Sequence, residues 1–179
     1  MERIVCILIG YVFGLFQTSF FYGKMKGIDI REHGSGNAGT TNTIRVLGTK
    51  AGLLVLAGDI LKCILAILLC GALFDASHPQ EVYLLKLYAA AGAILGHNFP
   101  FYLHFKGGKG IAATAGLILA FHPYFIPVGV ILFFGAFLTT HYVSLGSLLV
   151  YAGLMIQMVV CGQMGLFHAP QAILNEMYI

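Results

Sequence analysis

The stretch Ala51–Phe74 reads AGLLVLAGDILKCILAILLCGALF, and its reading decides the fold. An α-helix needs roughly 20 mainly apolar residues to cross the hydrocarbon core of a bilayer. This run meets that length with one acid and one base, Asp59 and Lys62. Their i, i+3 spacing lets them pair on one helix face, so a structural ion pair is expected. Further spans lie to either side. Ile4–Tyr22 precedes it, and the shorter Val82–Leu95 follows. Ile111–Leu138 is too long for one comfortable span and is interrupted at His122-Pro123. Proline removes a backbone donor and ends or kinks a helix, which divides the run into Ile111–Phe121 and Tyr124–Leu138. Leu145–Cys161 is the last clear span. The expected fold is all-α: a polytopic membrane helix bundle with six spans in one domain over residues 1–179.

Composition agrees. Hydrophobic residues make up 59% of the 179 and charged residues 9%, where a soluble protein carries ~25% charged. The mean hydropathy is +0.88. So few charges cannot clothe a soluble globule. This excludes a soluble enzyme, a disordered chain and a disulfide-stapled secreted domain. Cys6, Cys63, Cys70 and Cys161 fall in apolar stretches without close pairing and read as small apolar residues. The first apolar run is long for a signal peptide and lacks a small-x-small cleavage site, so it reads as a retained span.

Lys and Arg set the orientation. Lys24, Lys26, Arg31, Arg45 and Lys50 lie in the loop Gly23–Lys50, and Lys106 and Lys109 in the loop Gly96–Gly110. The loop Asp75–Glu81 has two acids and no base. With six spans and the N-terminus outside, both basic loops face the cytoplasm, and the chain after Cys161 emerges outside.

Those two loops carry the chemistry. The first reads His33-Gly34-Ser35-Gly36-Asn37-Ala38-Gly39-Thr40-Thr41-Asn42, followed by Arg45. Glycines among small polar residues suit a backbone that turns its N–H groups towards an anion. Ser35, Asn37, Thr40 and Asn42 add hydrogen bonds, and Arg45 can grip a phosphate or carboxylate with two donors. Gly34, Gly36 and Gly39 also satisfy G-x-G-x-x-G, but without the βαβ context a dinucleotide fingerprint requires. The second reads Gly96-His97-Asn98-Phe99-Pro100, then Phe105-Lys106-Gly107-Gly108-Lys109-Gly110-Ile111. Two lysines among three glycines, opening onto a helix N-terminus, make a second anion site. It is not a Walker A loop, since Gly110 follows Lys109 where Ser or Thr is required. His141 and Ser144 sit in a short turn at the same face. The histidines show no metal-ligand spacing, and neither a metal nor a cofactor is expected. Taken alone, these residues suggest an enzyme or transporter handling phosphate-bearing molecules at the inner face of a membrane. Their polar motifs cluster at one face, whereas a transporter site usually lies near the midplane.

The two motifs resemble those of the bacterial acyl-phosphate:glycerol-3-phosphate acyltransferases (PlsY). Tyr142-Val143-Ser144-Leu145-Gly146-Ser147 and Asp59-Ile60-Leu61-Lys62 also fit, so the resemblance covers almost the whole chain in order. It implies transfer of a fatty acyl group from acyl phosphate to the 1-hydroxyl of sn-glycerol 3-phosphate, giving lysophosphatidic acid, with membrane lipids as surroundings. It also implies a functional link to the enzyme that makes acyl phosphate, and no nucleic acid. Ser35, Arg45, Lys106 and His97 are the candidate catalytic residues. Gly34, Gly36, Asn37, Gly39, Thr40, Asn42, Gly107, Gly108, Lys109, Gly110 and Ser144 are the candidate substrate-binding residues. The resemblance implies that Ser35, Arg45, Lys106 and Ser144 hold phosphate and that Gly107, Gly108 and Gly110 shape the glycerol 3-phosphate site. The substrate's own phosphate is the first candidate for general base, and His97 the second. The family's third motif, H-R-x-N-I-x-R-L-x-x-G-x-E, has no counterpart here, because Ala169 follows His168 where Arg is required. The chain is therefore expected to lack a seventh span and that motif. The competing readings are a membrane transporter or binding protein for an organic phosphate, and an inactive paralogue.

Overall fold

The computed structural model describes residues 1–178. Its helices in chain order are α1 (Glu2–Gly14), α2 (Thr18–Met25), α3 (Thr40–Leu47), α4 (Thr49–Phe74), α5 (Val82–Asn98), α6 (Ile111–Phe121), α7 (Phe125–Thr140), α8 (Val143–Gln163) and α9 (Gln171–Tyr178). Short 3-10 turns cover Ile30–Glu32 and Phe101–Leu103. Among the described residues there is no strand. By length and composition Glu2–Met25, α4 and α8 can each cross a membrane, while α6 and α7 are shorter and apolar. The six spans expected from the sequence correspond to α1–α2, α4, α5, α6, α7 and α8. Large apolar side chains such as Leu53, Leu61, Leu68, Ile131, Leu148 and Ile156 are exposed on the outer helix faces, as lipid contact requires.

Inside the bundle small residues dominate, because lipid offers no hydrophobic drive for helix association and close packing must supply the attraction. The tightest crossing joins α1 to α5. A β-carbon added at Gly10 would stand 2.0 Å from the Ala89 carbonyl oxygen, and one at Gly14 2.2 Å from that of Ala93. Gly92 and Gly96 meet the carbonyls of Ile7 and Tyr11 in the same way. Each helix thus brings a G-x-x-x-G pair, Gly10/Gly14 and Gly92/Gly96, to a backbone-to-backbone contact. Residue numbers rise together along the two helices, so α1 and α5 run parallel. The segments that follow them, with both glycine-rich motifs, emerge at one end of the bundle. At the other end Tyr83, Phe121, Phe125 and Phe167 stack with ring centroids 5.0–6.4 Å apart. There Arg3 reaches Glu81 at 3.6 Å and Glu176 at 2.5 Å, tying α9 to the start of α1.

Four boundaries differ from the sequence reading, each for a local reason. The first span is broken at Leu15–Gln17, where Gln17 leaves helical geometry. Non-helical backbone at membrane depth is tolerated only where protein satisfies it. Here the Leu15 carbonyl accepts from the Tyr102 hydroxyl at 2.6 Å and the Phe16 carbonyl from Lys62 Nζ at 2.8 Å. Helix α5 continues through Gly96-His97-Asn98, which the sequence reading placed in a loop. Helix α8 starts at Val143, which puts Ser144 in its first turn instead of a turn between spans. The first basic loop contains a helix of its own, α3, on which Arg45 stands.

Candidate active site

The first motif is a braced turn. Asp29 begins the brace: its Oδ1 accepts from the Arg31 backbone N–H and from Nε, both at 3.0 Å, and Oδ2 accepts from Nη2 at 2.8 Å. This guanidinium holds the Asp29 carboxyl down at about 2, against an ordinary 3.8. Arg31 also donates through Nη1 to the Leu103 carbonyl at 3.3 Å, linking the two motif loops. Gly34 and Gly36 take left-handed φ values of 62° and 71°, where a β-carbon is disfavoured. Asn42 then closes the turn from α3. Its Nδ2 donates to the Ile30 and His33 carbonyls at 3.1 and 2.9 Å, and its Oδ1 accepts from the Ser35 N–H at 2.8 Å.

One expectation is corrected here. Asn42 was expected to meet substrate, but both its amide hydrogens are engaged within the turn, so it is a brace. Of the backbone N–H groups of the first motif, three are engaged within the turn, while those of Gly34, Asn37 and Ala38 have no acceptor among the described residues. Ser35, Gly36 and Gly39 donate to Asn42, the His33 carbonyl and the Asn37 carbonyl.

The second motif folds back on the end of α5. Gly107 N–H donates to the Asn98 carbonyl at 3.0 Å and Gly108 N–H to the His97 carbonyl at 3.1 Å. These glycines therefore supply space and not hydrogen bonds. A β-carbon on Gly107 would lie 2.0 Å from the His97 carbonyl oxygen. On Gly108 it would lie 2.1 Å from His97 Nε2 and 2.5 Å from the Ala38 carbonyl oxygen. Gly108 is thus the point where the first motif, the second motif and His97 meet. Gly110, with φ 77°, starts α6 and packs on Asn98. His104 and Phe105, immediately before Lys106, also have positive φ, which fixes the loop's direction at a cost in backbone strain.

Within the two motifs Ser35, Arg45, Lys106 and Lys109 are exposed. Among the described residues no carboxylate lies within 4.0 Å of the three cations. Thr40 Oγ1, at the start of α3, and Asn98 Oδ1, at the end of α5, are buried without a partner among the described residues. Asn37 is half-buried beside Gly39. Ser144 is exposed on the first turn of α8, which joins α6 through Thr114 Oγ1 and Tyr151 Oη at 3.2 Å. No described hydrogen bond ties Ser144 to either glycine loop. Among the described residues no three His, Cys, Asp or Glu side chains gather as a metal site would need.

Beneath the junction lies a polar network that the sequence reading found only in part. The Asp59–Lys62 pair forms as expected, at 2.9 Å, with the two side chains 1% and 4% exposed. It does not stand alone. Asp59 Oδ1 also accepts from Thr18 Oγ1 at 3.0 Å, and Lys62 Nζ lies 2.7 Å from His97 Nδ1. Gln17 Nε2 donates to the His97 carbonyl at 2.7 Å. The signal for these partners was Gln17-Thr18-Ser19, three polar residues in succession inside an apolar run.

A bundle of membrane helices with a cationic, glycine-lined junction at one end defines a membrane protein built for phosphate-bearing ligands. Comparison with known proteins narrows this. The family model described as glycerol-3-phosphate acyltransferase matches residues 4–178. The chain is 44% identical over 144 residues to the glycerol-3-phosphate acyltransferase of Bacillus velezensis, covering 80% of this chain and 71% of that one. The enzyme of the same name from Bacillus subtilis matches at the same identity and coverage. Among solved structures, PlsY, an integral membrane glycerol 3-phosphate acyltransferase, superposes in its glycerol 3-phosphate form with a TM-score of 0.80 at 31% identity. That match covers 90% of this chain and 78% of PlsY. The lysophosphatidic acid form gives 0.77 at 30% identity with the same coverage. The chain belongs to the glycerol-3-phosphate acyltransferase family.

Proposed function

We propose that the chain carries out this family's acyl transfer to glycerol 3-phosphate with acyl phosphate as the donor, at the junction of its two glycine-rich motifs, facing the cytoplasm. The observation that carries the site assignment is Gly108, packed against both His97 and Ala38 where the two motifs meet, with Arg45, Lys106 and Lys109 of those motifs exposed and, among the described residues, without a carboxylate within 4.0 Å. Both substrates are phosphate-bearing, and two cation-flanked loops suit two anions. Arg45 grips one phosphate through its planar fork, Lys106 and Lys109 offer point charges, and Ser35 and Ser144 add hydroxyl donors. The glycines let the glycerol backbone come close.

The 1-hydroxyl oxygen attacks the acyl carbon. A carbon–oxygen bond to glycerol forms, the bond to the phosphate oxygen breaks, and inorganic phosphate leaves with its electron pair. Holding the hydroxyl against the acyl carbon supplies much of the rate. Fixed cations stabilise the departing phosphate. The hydroxyl proton passes to the phosphate of glycerol 3-phosphate. Asp29 is committed to Arg31, and Asp59 to Lys62 and Thr18. The product is lysophosphatidic acid, its acyl tail between the helices in lipid, and an enzyme that makes acyl phosphate is the functional partner.

The test is a thiol-free assay on purified protein with labelled glycerol 3-phosphate and either acyl phosphate or acyl-CoA. Labelled lysophosphatidic acid with equimolar phosphate release from acyl phosphate is the expected result, and turnover with acyl-CoA alone overturns the donor assignment. For orientation, single cysteines at the exposed His33 and His104 in a Cys-free background should resist an impermeant thiol reagent in intact cells. Labelling of either places the junction outside.

A further inference from the structure

The network under the junction fixes a proton. An ammonium group has three hydrogens and no acceptor. Lys62 Nζ has three acceptors around it: the Phe16 carbonyl at 2.8 Å, Asp59 Oδ1 at 2.9 Å and His97 Nδ1 at 2.7 Å. Two of the three, the Phe16 carbonyl and the carboxylate, are acceptors under any arrangement. The third is the imidazole, and only a bare Nδ1 can receive the remaining hydrogen. A neutral imidazole with a bare Nδ1 carries its proton on Nε2.

The backbone that carries the ring is held as well. The His97 carbonyl accepts from Gln17 Nε2 at 2.7 Å and from the Gly108 N–H at 3.1 Å. The His97 ring Nε2 lies under Gly108, next to the Ala38 carbonyl, and hydrogen-bonds to none of the described residues. We infer that Lys62, charge-balanced by Asp59, is a positioning residue that fixes His97 in the Nε2–H form, so that His97 presents a hydrogen-bond donor to an anionic substrate oxygen at the junction and does not act as the general base.

The helix break follows from this arrangement. Releasing the Phe16 carbonyl from the first helix gives the ammonium its third acceptor, so the broken span, the buried ion pair and the histidine form one unit. Asp59 keeps the lysine charged at a depth where a lone ammonium would be strongly disfavoured. A second-layer partner that sets the tautomer of a functional histidine is a recurring device.

Ring-nitrogen 15N NMR of histidine-labelled protein in detergent tests this directly, with the His97 signals among the seven histidines assigned through His97→Gln. At neutral pH His97 should show a bare Nδ1 and a protonated Nε2. In Lys62→Met the preference should be lost or reversed. The kinetic arm rests on the acyl-transfer reading. There Lys62→Met should lower kcat by about tenfold to a hundredfold, the scale of a misaligned donor, while KM for glycerol 3-phosphate stays within about twofold. Should Lys62→Met leave Asp59 uncompensated and fail to fold, Asp59→Leu/Lys62→Met removes both charges and is read by the same criteria. A wild-type His97 protonated on Nδ1 overturns the inference, as does an altered tautomer with unchanged kcat. Absence of all acyl transfer by the wild type would instead count against the proposed function, and the tautomer signals would still decide the assignment of the proton.

Discussion

The two ends of the bundle treat their cations differently. At the aromatic end Arg3 is shared between Glu81 and Glu176, and stacked rings close the space between helices. At the motif end Arg45, Lys106 and Lys109 face outward without a carboxylate within 4.0 Å among the described residues. Arg31 shows that position alone does not make a ligand group. It stands in the first motif loop, yet Asp29 takes two of its side-chain donors and Leu103 a third. A paired cation holds structure together, whereas an unpaired one keeps its donors free for an anion.

Charge deletion at each end should expose this contrast most strongly. Arg45→Ala is expected to lower kcat/KM by more than a hundredfold, and Arg45→Lys by roughly tenfold to a hundredfold, since lysine keeps the charge but not the fork. Loss of a charge-assisted contact to phosphate is worth about 1.5–3 kcal/mol, and each 1.4 kcal/mol is about tenfold. Arg3→Ala, at the other end, should leave kcat/KM within about twofold, because surface ion pairs contribute ~0–1 kcal/mol. Steady-state kinetics on the purified variants decides. Equal losses at both ends would mean that the unpaired cations are not the binding group.

The next effect is steric and compares two glycines. Gly108 has His97 Nε2 2.1 Å and the Ala38 carbonyl oxygen 2.5 Å from where a β-carbon would be, while Gly135 on α7 has nothing within 4 Å. Gly108→Ala should raise KM for glycerol 3-phosphate roughly tenfold, by forcing the two motifs apart. Gly135→Ala should leave kinetics unchanged and add up to about 1 kcal/mol of helix stability. A silent Gly108→Ala would show that the junction is not where substrate sits. Gly14→Ala, with the Ala93 carbonyl 2.2 Å away, should act through stability, costing about 1–3 kcal/mol by overpacking the α1–α5 crossing. Thermal unfolding in detergent reads that loss, and a Tm equal to wild type would mean the helices do not touch there.

What could be read from the sequence follows the range of the interactions involved. The apolar runs gave the spans within a few residues, because length and hydropathy are local properties. Proline at 123 divided α6 from α7 at the right place. The i, i+3 pair of Asp59 and Lys62 was legible for the same reason. His97 was read as a loop residue, standing between Gly96 and Pro100, yet three more residues of helix carry it inward. Its partner Lys62 is 35 residues away and the freed Phe16 carbonyl 81 away, distances at which no single-sequence pattern speaks. Asn42 was misread as a ligand group because a polar residue in a glycine-rich loop looks alike whether it braces the turn or faces substrate. The G-x-x-x-G pairs at Gly10/Gly14 and Gly92/Gly96, which carry the α1–α5 crossing, stand in the sequence as a local pattern that the sequence reading did not single out.

The smallest expected effect separates the brace of the first loop from its ligand groups. Asp29 is lowered to about 2 by Arg31, so its charged form favours the folded loop. A carboxyl depressed on folding contributes stability that is complete above its unfolded value, near 3.8, and is lost as pH falls through about 2. The loop should therefore hold unchanged from neutral pH down to about pH 5 and loosen between about pH 4 and pH 2. Because Arg31 is 25% exposed, solvent screens the pair and its contribution stays below about 1 kcal/mol. The measurement is the amide exchange rate at Arg31 and Ser35 in wild type and Asp29→Asn. Wild type should approach the variant's faster exchange only in the acid range, while at neutral pH the variant raises KM by less than about threefold through the Arg31–Leu103 link. Acid-induced loosening of equal size in both proteins would assign it to other carboxyls and leave Asp29 without its bracing role.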